Sequence, residues 1–291
     1  MKTAKLAKSY RIDDGKHFRL KDFDPADTGH LHSADHAKEH VQKDIARMED
    51  LQAKLYAQGC WSVLLIFQAM DAAGKDGTVK HVMSGVNPEG VQVSSFKTPS
   101  ATELQHDFLW RTTQRLPERG HIGIFNRSYY EEVLVVRVHP KVLQSEILPP
   151  SLITKNIWEE RLEDIRCFER HMARNGTVIR KFFLHLSKKE QKRRFLARLD
   201  EPEKNWKFSA ADIHEREYWD DYQKAYEDMI RNTATRQSPW YVIPADNKWF
   251  THLAVSAAIV ETLEELSLAY PKVDPAKRKE LLAARQTLLK K

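Results

Sequence analysis

The sequence predicts an α/β protein whose parallel sheet is covered by helices on both faces. Three observations predict it. Short apolar runs of strand length alternate with amphipathic stretches of helical length along the 291 residues, which is the pattern of a parallel sheet with crossover helices. The first run, Ser62–Gln68, is apolar almost throughout, as a strand buried on both faces must be. A small-residue turn, Asp71–Gly77, follows it and leads into a helix, the context in which a chain binds phosphate through backbone amides.

The elements follow in order. Residues 1–33 are polar and lack clear periodicity, and read as an arm. From Ser33, the apolar residues Val41, Ile45, Met48, Leu51 and Leu55 recur at steps of three and four until Gly59, the signature of a helix with its stop. Residues 1–58 thus form an N-terminal arm and helix, and 59–291 the core. After the first strand and turn, a helix runs from Thr78 to about Ser84. Val91–Phe96 reads as a second strand, Ala101–Leu116 as a second helix, and Ile122–Phe125 as a third strand behind Gly120. The segment 151–174 is helical and charged, and Thr177–Leu186 is a further strand. Ser187 with Glu190 makes a capping-box pattern. The helix it opens carries Lys188, Lys189, Lys192, Arg193, Arg194 and Arg198, and stops near Pro202. Ser209–Asp212 opens another helix, whose Trp219, Tyr222, Tyr226 and Met229 share one face and read as packing in preference to base stacking. Trp240–Ile243 is the last strand.

Composition narrows the class. With 41% hydrophobic and 30% charged residues the chain is in the globular range. No apolar run approaches the ~20 residues needed to cross a bilayer, and no apolar segment follows the basic N-terminus as a secretory signal requires. Cys60 and Cys167 are too few for a disulfide framework, so a reduced, cytoplasmic protein is expected. The formal charge of +6 calls for an anionic partner without naming it.

In the turn after the first strand, the amides of Ala73, Gly74, Lys75, Asp76 and Gly77 and the Lys75 ammonium read either as a phosphate cradle or, by pattern alone, as an ordinary turn. The general pattern G-x-x-x-x-G-K-[ST] is departed from at Ala69 and at Asp76, where a hydroxyl would normally contact magnesium. Asp71 is the better candidate for a metal ligand, whereas Asp76 reads equally as ligand or helix cap. Asn126 and Arg127 stand just past the third strand, where open α/β sheets bind ligands. An arginine there can clamp phosphate or pair with Glu131 or Glu132. Asn126 lacks the charge of the aspartate that usually ends such a strand, which counts against an ordinary ATPase.

Several blocks together resemble the polyphosphate kinase 2 family: Phe67–His81, Phe125–Glu131, Asn205–Ser209, Trp219–Tyr222 and Pro239–Trp249. Asn126 with Glu131 is similar to the subgroup that accepts nucleoside mono- and diphosphates, class III. The resemblance implies a three-layer P-loop kinase fold related to thymidylate kinases, with a helical lid at about 187–232. It implies transfer of the terminal phosphoryl group of inorganic polyphosphate to AMP or ADP, or to GMP or GDP, with Mg2+ or Mn2+ as cofactor. Asp71, Lys75 and Arg127 would be catalytic, with Asp71 on the metal; Asn126, Arg127 and Glu131 would shape the nucleotide site. Arg194, Arg198 and Lys207 would track the polyanion with the loop. Purine nucleotides and polyphosphate are the partners implied, in a homodimer or homotetramer, without nucleic acid or membrane.

Two rival readings stay open on the residues: an ATP-dependent nucleoside monophosphate kinase, and a non-catalytic nucleic-acid-binding protein using the basic helix. His32, His36 and His40 recur every fourth residue and read as a solvated face in preference to a metal site.

Overall fold

The computed structural model describes residues 3–31 and 33–290. Its strands are β1 (Arg11–Ile12), β2 (Ser62–Gln68), β3 (Val91–Ser95), β4 (Ile122–Asn126), β5 (Thr177–His185) and β6 (Trp240–Pro244), in the spatial order β1-β6-β5-β2-β4-β3. Every pairing is parallel except the short edge strand β1 against β6. Phe67 of β2 lies opposite both Asn126 of β4 and Phe182 of β5. The phosphate-loop turn and the Asn126–Arg127 turn therefore leave the sheet side by side.

Alternation along the central strands builds two cores. Val63, Leu65 and Phe67 point to one face, and Leu64 and Ile66 to the other. The first face is covered by α1 (Thr3–Lys8), α2 (Ala34–Gln58), α3 (Lys75–Val82) and α11 (Lys248–Glu265). On the second face lie α5 (Glu131–Val138), α7 (Ile157–Arg174) and α10 (Trp219–Thr233). Short turns α4 (Trp110–Thr113) and α6 (Pro140–Leu143) connect elements, α8 (Lys188–Asp200) and α9 (Ala210–Glu215) lie between β5 and α10, and α12 (Pro275–Leu289) ends the described chain with no buried residue. This is a three-layer α/β architecture of the P-loop kinase kind.

Helix α2 runs as its periodicity predicts. Ser33 Oγ caps it, and Gly59, at φ 61°, ends it in the left-handed conformation that glycine adopts without penalty. His36 is exposed on this helix; His32 lies outside the described residues, so the histidine row as a whole is not described. On α10, Tyr222, Tyr226 and Met229 are buried, and Tyr226 stacks on Phe183 at 4.3 Å.

The structure differs from the sequence reading in three places. The helix opened by Ser209 stops at Glu215, and Trp219, Tyr222, Tyr226 and Met229 lie on α10 after a 3-10 turn, Arg216–Tyr218. The segment read as a polar arm is packed: Leu6, Ala7, Tyr10, Phe18 and Leu20 are buried, and Tyr10 donates to Asp27 at 2.7 Å. A six-residue helix and a two-residue strand are too short to show a period. The helix expected over 101–116 is instead a 3-10 turn, Glu103–Gln105, followed by α4 alone. Side chains there satisfy backbone amides locally, with Glu103 accepting from Ser100 N at 2.6 Å and Asp107 from Leu109 N at 2.9 Å. Such bonds compete with helix formation.

Candidate active site

The chain between β2 and α3 bends through two left-handed residues, Ala72 at φ 62° and Gly74 at φ 100°. Gly74 is the N-cap of α3 and carries no side chain to cap it. The first amides of a helix have no intrahelical partner, and here Ala73, Gly74, Lys75, Asp76 and Gly77 all line a cleft of about 960 Å³. Lys75 is held by a bond from Nζ to Ala69 O at 2.8 Å. Burial, and then the nearby Arg127, push its ammonium below the usual lysine range, against the opposing pull of Asp71, Glu131 and Asp76.

Across the cleft, Asn126 at the end of β4 donates through Nδ2 to Asp76 Oδ1. That bond ties the two strand ends together, and it gives Asp76 a partner within the protein. Arg127 follows in the left-handed region at φ 63°, a conformation that costs a non-glycine residue about 1 kcal/mol or more. Its guanidinium lies 3.2 Å from Asp71 and 3.6 Å from Glu131. Glu131 sits behind Arg127 and is not among the residues lining the cleft. Burial raises its carboxyl above the ordinary range, while Arg127 and Lys75 pull it back. With its amide nitrogen turned toward Glu131, Gln68 donates to that carboxylate at 2.8 Å and accepts from Ser128 Oγ at 3.1 Å.

The basic helix α8 closes the third side. Ser187 Oγ accepts from Glu190 N at 3.1 Å as the capping pattern predicts, but Ser187 N donates to Asp246 at 2.8 Å, not to Glu190. Glu190 instead holds Arg193 and Arg194. Arg194 was expected to follow the polyanion. In the structure its guanidinium is engaged with Ala72 O, Ala73 O, Ala245 O and Asp246 O, at 2.6–3.1 Å, as well as Glu190. It clasps the phosphate loop to the end of β6, because buried guanidinium donors must be satisfied. Arg198 donates to Asp212 at 3.0 Å and to Lys207 O at 3.3 Å, and the Lys207 ammonium lies 5.0 Å from the Trp206 ring centre.

The cleft thus gathers Asp71, Lys75, Asp76, Asn126, Arg127, Arg194, Arg198 and Lys207. It also brings in cations that the sequence reading missed: Lys80, Lys97, Lys204 and Lys248. In all, six lysines and four arginines line it against three carboxylates, Asp71, Asp76 and Glu201. Lys248 was discoverable, since it stands just past a predicted strand at the ligand-binding edge of the sheet. His81 and His252 stack across the far wall at 4.3 Å, and burial pushes His252 down to about 4.

A cleft of this charge beside a phosphate loop suits a chain of phosphates. Residues 31–270 match the protein-family model described as Polyphosphate kinase 2. The chain belongs to the polyphosphate kinase 2 family. It is 57% identical to an ADP-polyphosphate phosphotransferase of Rhodopseudomonas palustris, over 97% of this chain and 98% of that one. An AMP/ADP-polyphosphate phosphotransferase of Meiothermus ruber is 48% identical over 94% of this chain and 98% of its own. The crystal structure of polyphosphate kinase 2 from Arthrobacter aurescens superposes with a TM-score of 0.86 at 40% identity, covering 96% of each chain.

Polyphosphate kinase 2 proteins handle substrates made of phosphate, and the donor set suits a metal bound mainly through substrate. Among the described residues no three His, Cys, Asp or Glu side chains gather to cage an ion. Asp71, one-third exposed at the loop, provides one carboxylate. Magnesium characteristically takes one or two carboxylates and completes its octahedron with waters and phosphate oxygens, so these residues fit it.

Proposed function

We propose that this polyphosphate kinase 2 enzyme transfers the terminal phosphoryl group of inorganic polyphosphate to AMP or ADP, and to GMP or GDP, giving the next higher nucleotide. The observation that carries this reading is the meeting of the phosphate loop and the Arg127 turn in one cation-lined cleft. Its volume of about 960 Å³ leaves room for a polyanion, and among the described residues lining it there is no nucleophile–base constellation. A nucleotide phosphate is already anionic near neutrality, its second pKa being roughly 6, so the attacking oxygen needs little deprotonation. Neutralisation and alignment of mutually repelling phosphates are the task.

In this reading the amides of residues 73–77 and the Lys75 ammonium grip the donor end. Arg127, steered by Asp71 and Glu131, bridges donor and acceptor. Asn126 fixes the spacing of the two turns through Asp76. Glu131 sets Arg127 and, with Gln68, shapes the acceptor side. Magnesium, with manganese as a substitute, would bind at Asp71 and neutralise phosphate charge. Arg198 and Lys207, with Lys204 and Lys248, would carry the rest of the polyphosphate, and Arg194 would keep the loop in shape. The segment 187–232 would act as the lid of the core at 59–291. Its parts are linked by Arg198–Asp212 and by Arg216 to Lys188 O at 2.8 Å. It reaches the loop through Gln191, which donates to Asp71 O at 3.1 Å. No described helix is long and apolar enough to cross a membrane, and both cysteines are free. We further propose a cytoplasmic homodimer or homotetramer as the working form.

The test incubates purified protein with magnesium and long-chain polyphosphate, and AMP, ADP, GMP or GDP in separate reactions, with chromatographic separation of products. ATP without polyphosphate forms a further arm. Formation of the higher nucleotide only with polyphosphate is expected. Transfer from ATP alone, or no transfer from either donor, would overturn the reading.

A further inference from the structure

Behind the Arg127 turn lies a buried ion pair that takes no direct part in the mechanism above. Lys181 on β5 is fully buried and Glu169 on α7 is 2% exposed; Lys181 Nζ donates to Glu169 Oε2 at 2.6 Å. Neither side chain lines the cleft. Lys181 also donates to Thr233 O at 2.8 Å and to Tyr130 Oη at 3.1 Å, and it lies 5.2 Å from the Trp240 ring centre. The second carboxylate oxygen, Glu169 Oε1, accepts from two adjacent phenols, Tyr129 at 3.0 Å and Tyr130 at 2.6 Å. Both phenols are buried and raised well above their usual range, so they remain O–H donors.

Such a pair is a poor device for stability alone. Desolvating two charges costs several kcal/mol, and apolar residues of similar volume are often as stable or more so. Its position suggests what it does. Tyr129 and Tyr130 sit between Arg127 and Glu131, and Arg127 holds a left-handed backbone that its surroundings must enforce. Two successive hydroxyls converging on one oxygen leave the turn no freedom to rotate. Ser128 Oγ, accepting from Tyr130 N at 3.2 Å, tightens it further.

We infer that Lys181 and Glu169 are positioning residues for phosphoryl transfer: their buried pair presents one fixed oxygen to Tyr129 and Tyr130, and so sets Glu131 behind Arg127 and aims Arg127 at the phosphate loop. The inference rests on the proposed function. A misplacement of about 1 Å in a transfer site can cost on the order of a hundredfold in rate.

The experiment compares wild type with the apolar double variant Lys181→Met/Glu169→Leu and with Lys181→Met/Glu169→Gln, which restores an acceptor oxygen without a charge. Melting temperature, kcat, and KM for polyphosphate and for ADP are measured in each. The apolar double variant is expected to fold but to melt below wild type, because the Tyr129 and Tyr130 hydroxyls lose their acceptor, to lose about 10- to 100-fold in kcat, and to keep its KM for polyphosphate. The glutamine variant is expected to regain most of the lost kcat. A folded apolar double variant with wild-type kcat overturns the inference, as does a lowered kcat that glutamine leaves uncorrected. Should either double variant fail to fold, Tyr129→Phe and Tyr130→Phe decide: each is expected to lower kcat severalfold, and wild-type kcat in both overturns it. Inactive wild type would instead refute the proposed function, which keeps the two failures distinct.

Discussion

Lys75 and Arg194 are both cations of the phosphate loop, and their hydrogen bonds separate their roles. Lys75 spends one donor on Ala69 O, leaving ammonium donors for substrate. Replacing it with alanine should lower kcat by about a thousandfold or more, with an unchanged circular dichroism spectrum; near-normal turnover would remove the loop from the mechanism. Arg194 is bound on every side by protein acceptors. Arg194→Ala should therefore act first on stability, by about 3 kcal/mol, because it strands the carbonyls of Ala72, Ala73, Ala245 and Asp246, whereas Glu190 keeps Arg193. Denaturant titration measures this, and a variant as stable as wild type but weak for polyphosphate would return Arg194 to substrate contact. Glu131 is half-buried behind Arg127. Glu131→Ala should change the ratio of AMP to ADP turnover, and equal losses for the two acceptors would argue against a part in acceptor choice. The basic positions of α8 look alike in sequence, so the division between loop clasp and cleft lining was not legible there. It depends on which carbonyls each guanidinium meets after folding.

Among the elements, long periodic ones were readable and short ones were not. The helix ending at Gly59 and the strand Ser62–Gln68 match their expected bounds, the helix because its apolar period repeats several times and the strand because its apolar run is continuous. The N-terminal segment has few apolar residues and no period, yet it is pinned to the body by close approach. A Cβ on Gly15 would meet Arg231 O at 2.2 Å, well inside contact distance with the backbone of α10. Gly15→Ala is thus expected to destabilise the protein by about 2–3 kcal/mol and to speed hydrogen exchange across residues 6–20. Exchange as slow as in wild type would show that the segment tolerates displacement. The turns at 101–116 misled because their Ser, Glu and Asp side chains bond locally instead of letting a helix propagate.

For the whole molecule, buried titratable groups set the pH range of stability. His185 is 7% exposed, and burial pushes it down to about 4 from 6.5. The unfolded chain therefore binds more protons between those values, so the His185 contribution to stability is full above pH 6.5 and falls as pH drops toward 4, by roughly 3 kcal/mol at most. Glu132 runs the other way. Burial and the neighbouring Glu146 push it up to about 8 from 4.5, so its contribution is full below pH 4.5 and is lost as pH rises toward 8. Between pH 4.5 and 6.5 the two slopes oppose and cancel, so in melting curves across pH 4 to 8.5 Glu132→Gln should uncover the acid limb of His185, and His185→Gln should extend the Glu132 decline down to about pH 4.5. A limb that survives its own substitution would assign it to other groups.

The strands β2 to β6, the small-residue turn after β2 and the position of Asn126 and Arg127 past β4 were legible in the sequence itself. Each is a local pattern: an apolar period, a run of small residues after a strand, a blocked motif. What the folded chain alone decided is how distant segments share a site. Lys80, Lys97, Lys204 and Lys248 converge on one cleft, Arg194 turns inward to the loop, and Lys181 meets Glu169 beneath two tyrosines. The physical reason is that charge acts through distance and burial, and neither is fixed until the sheet has brought its strand ends together.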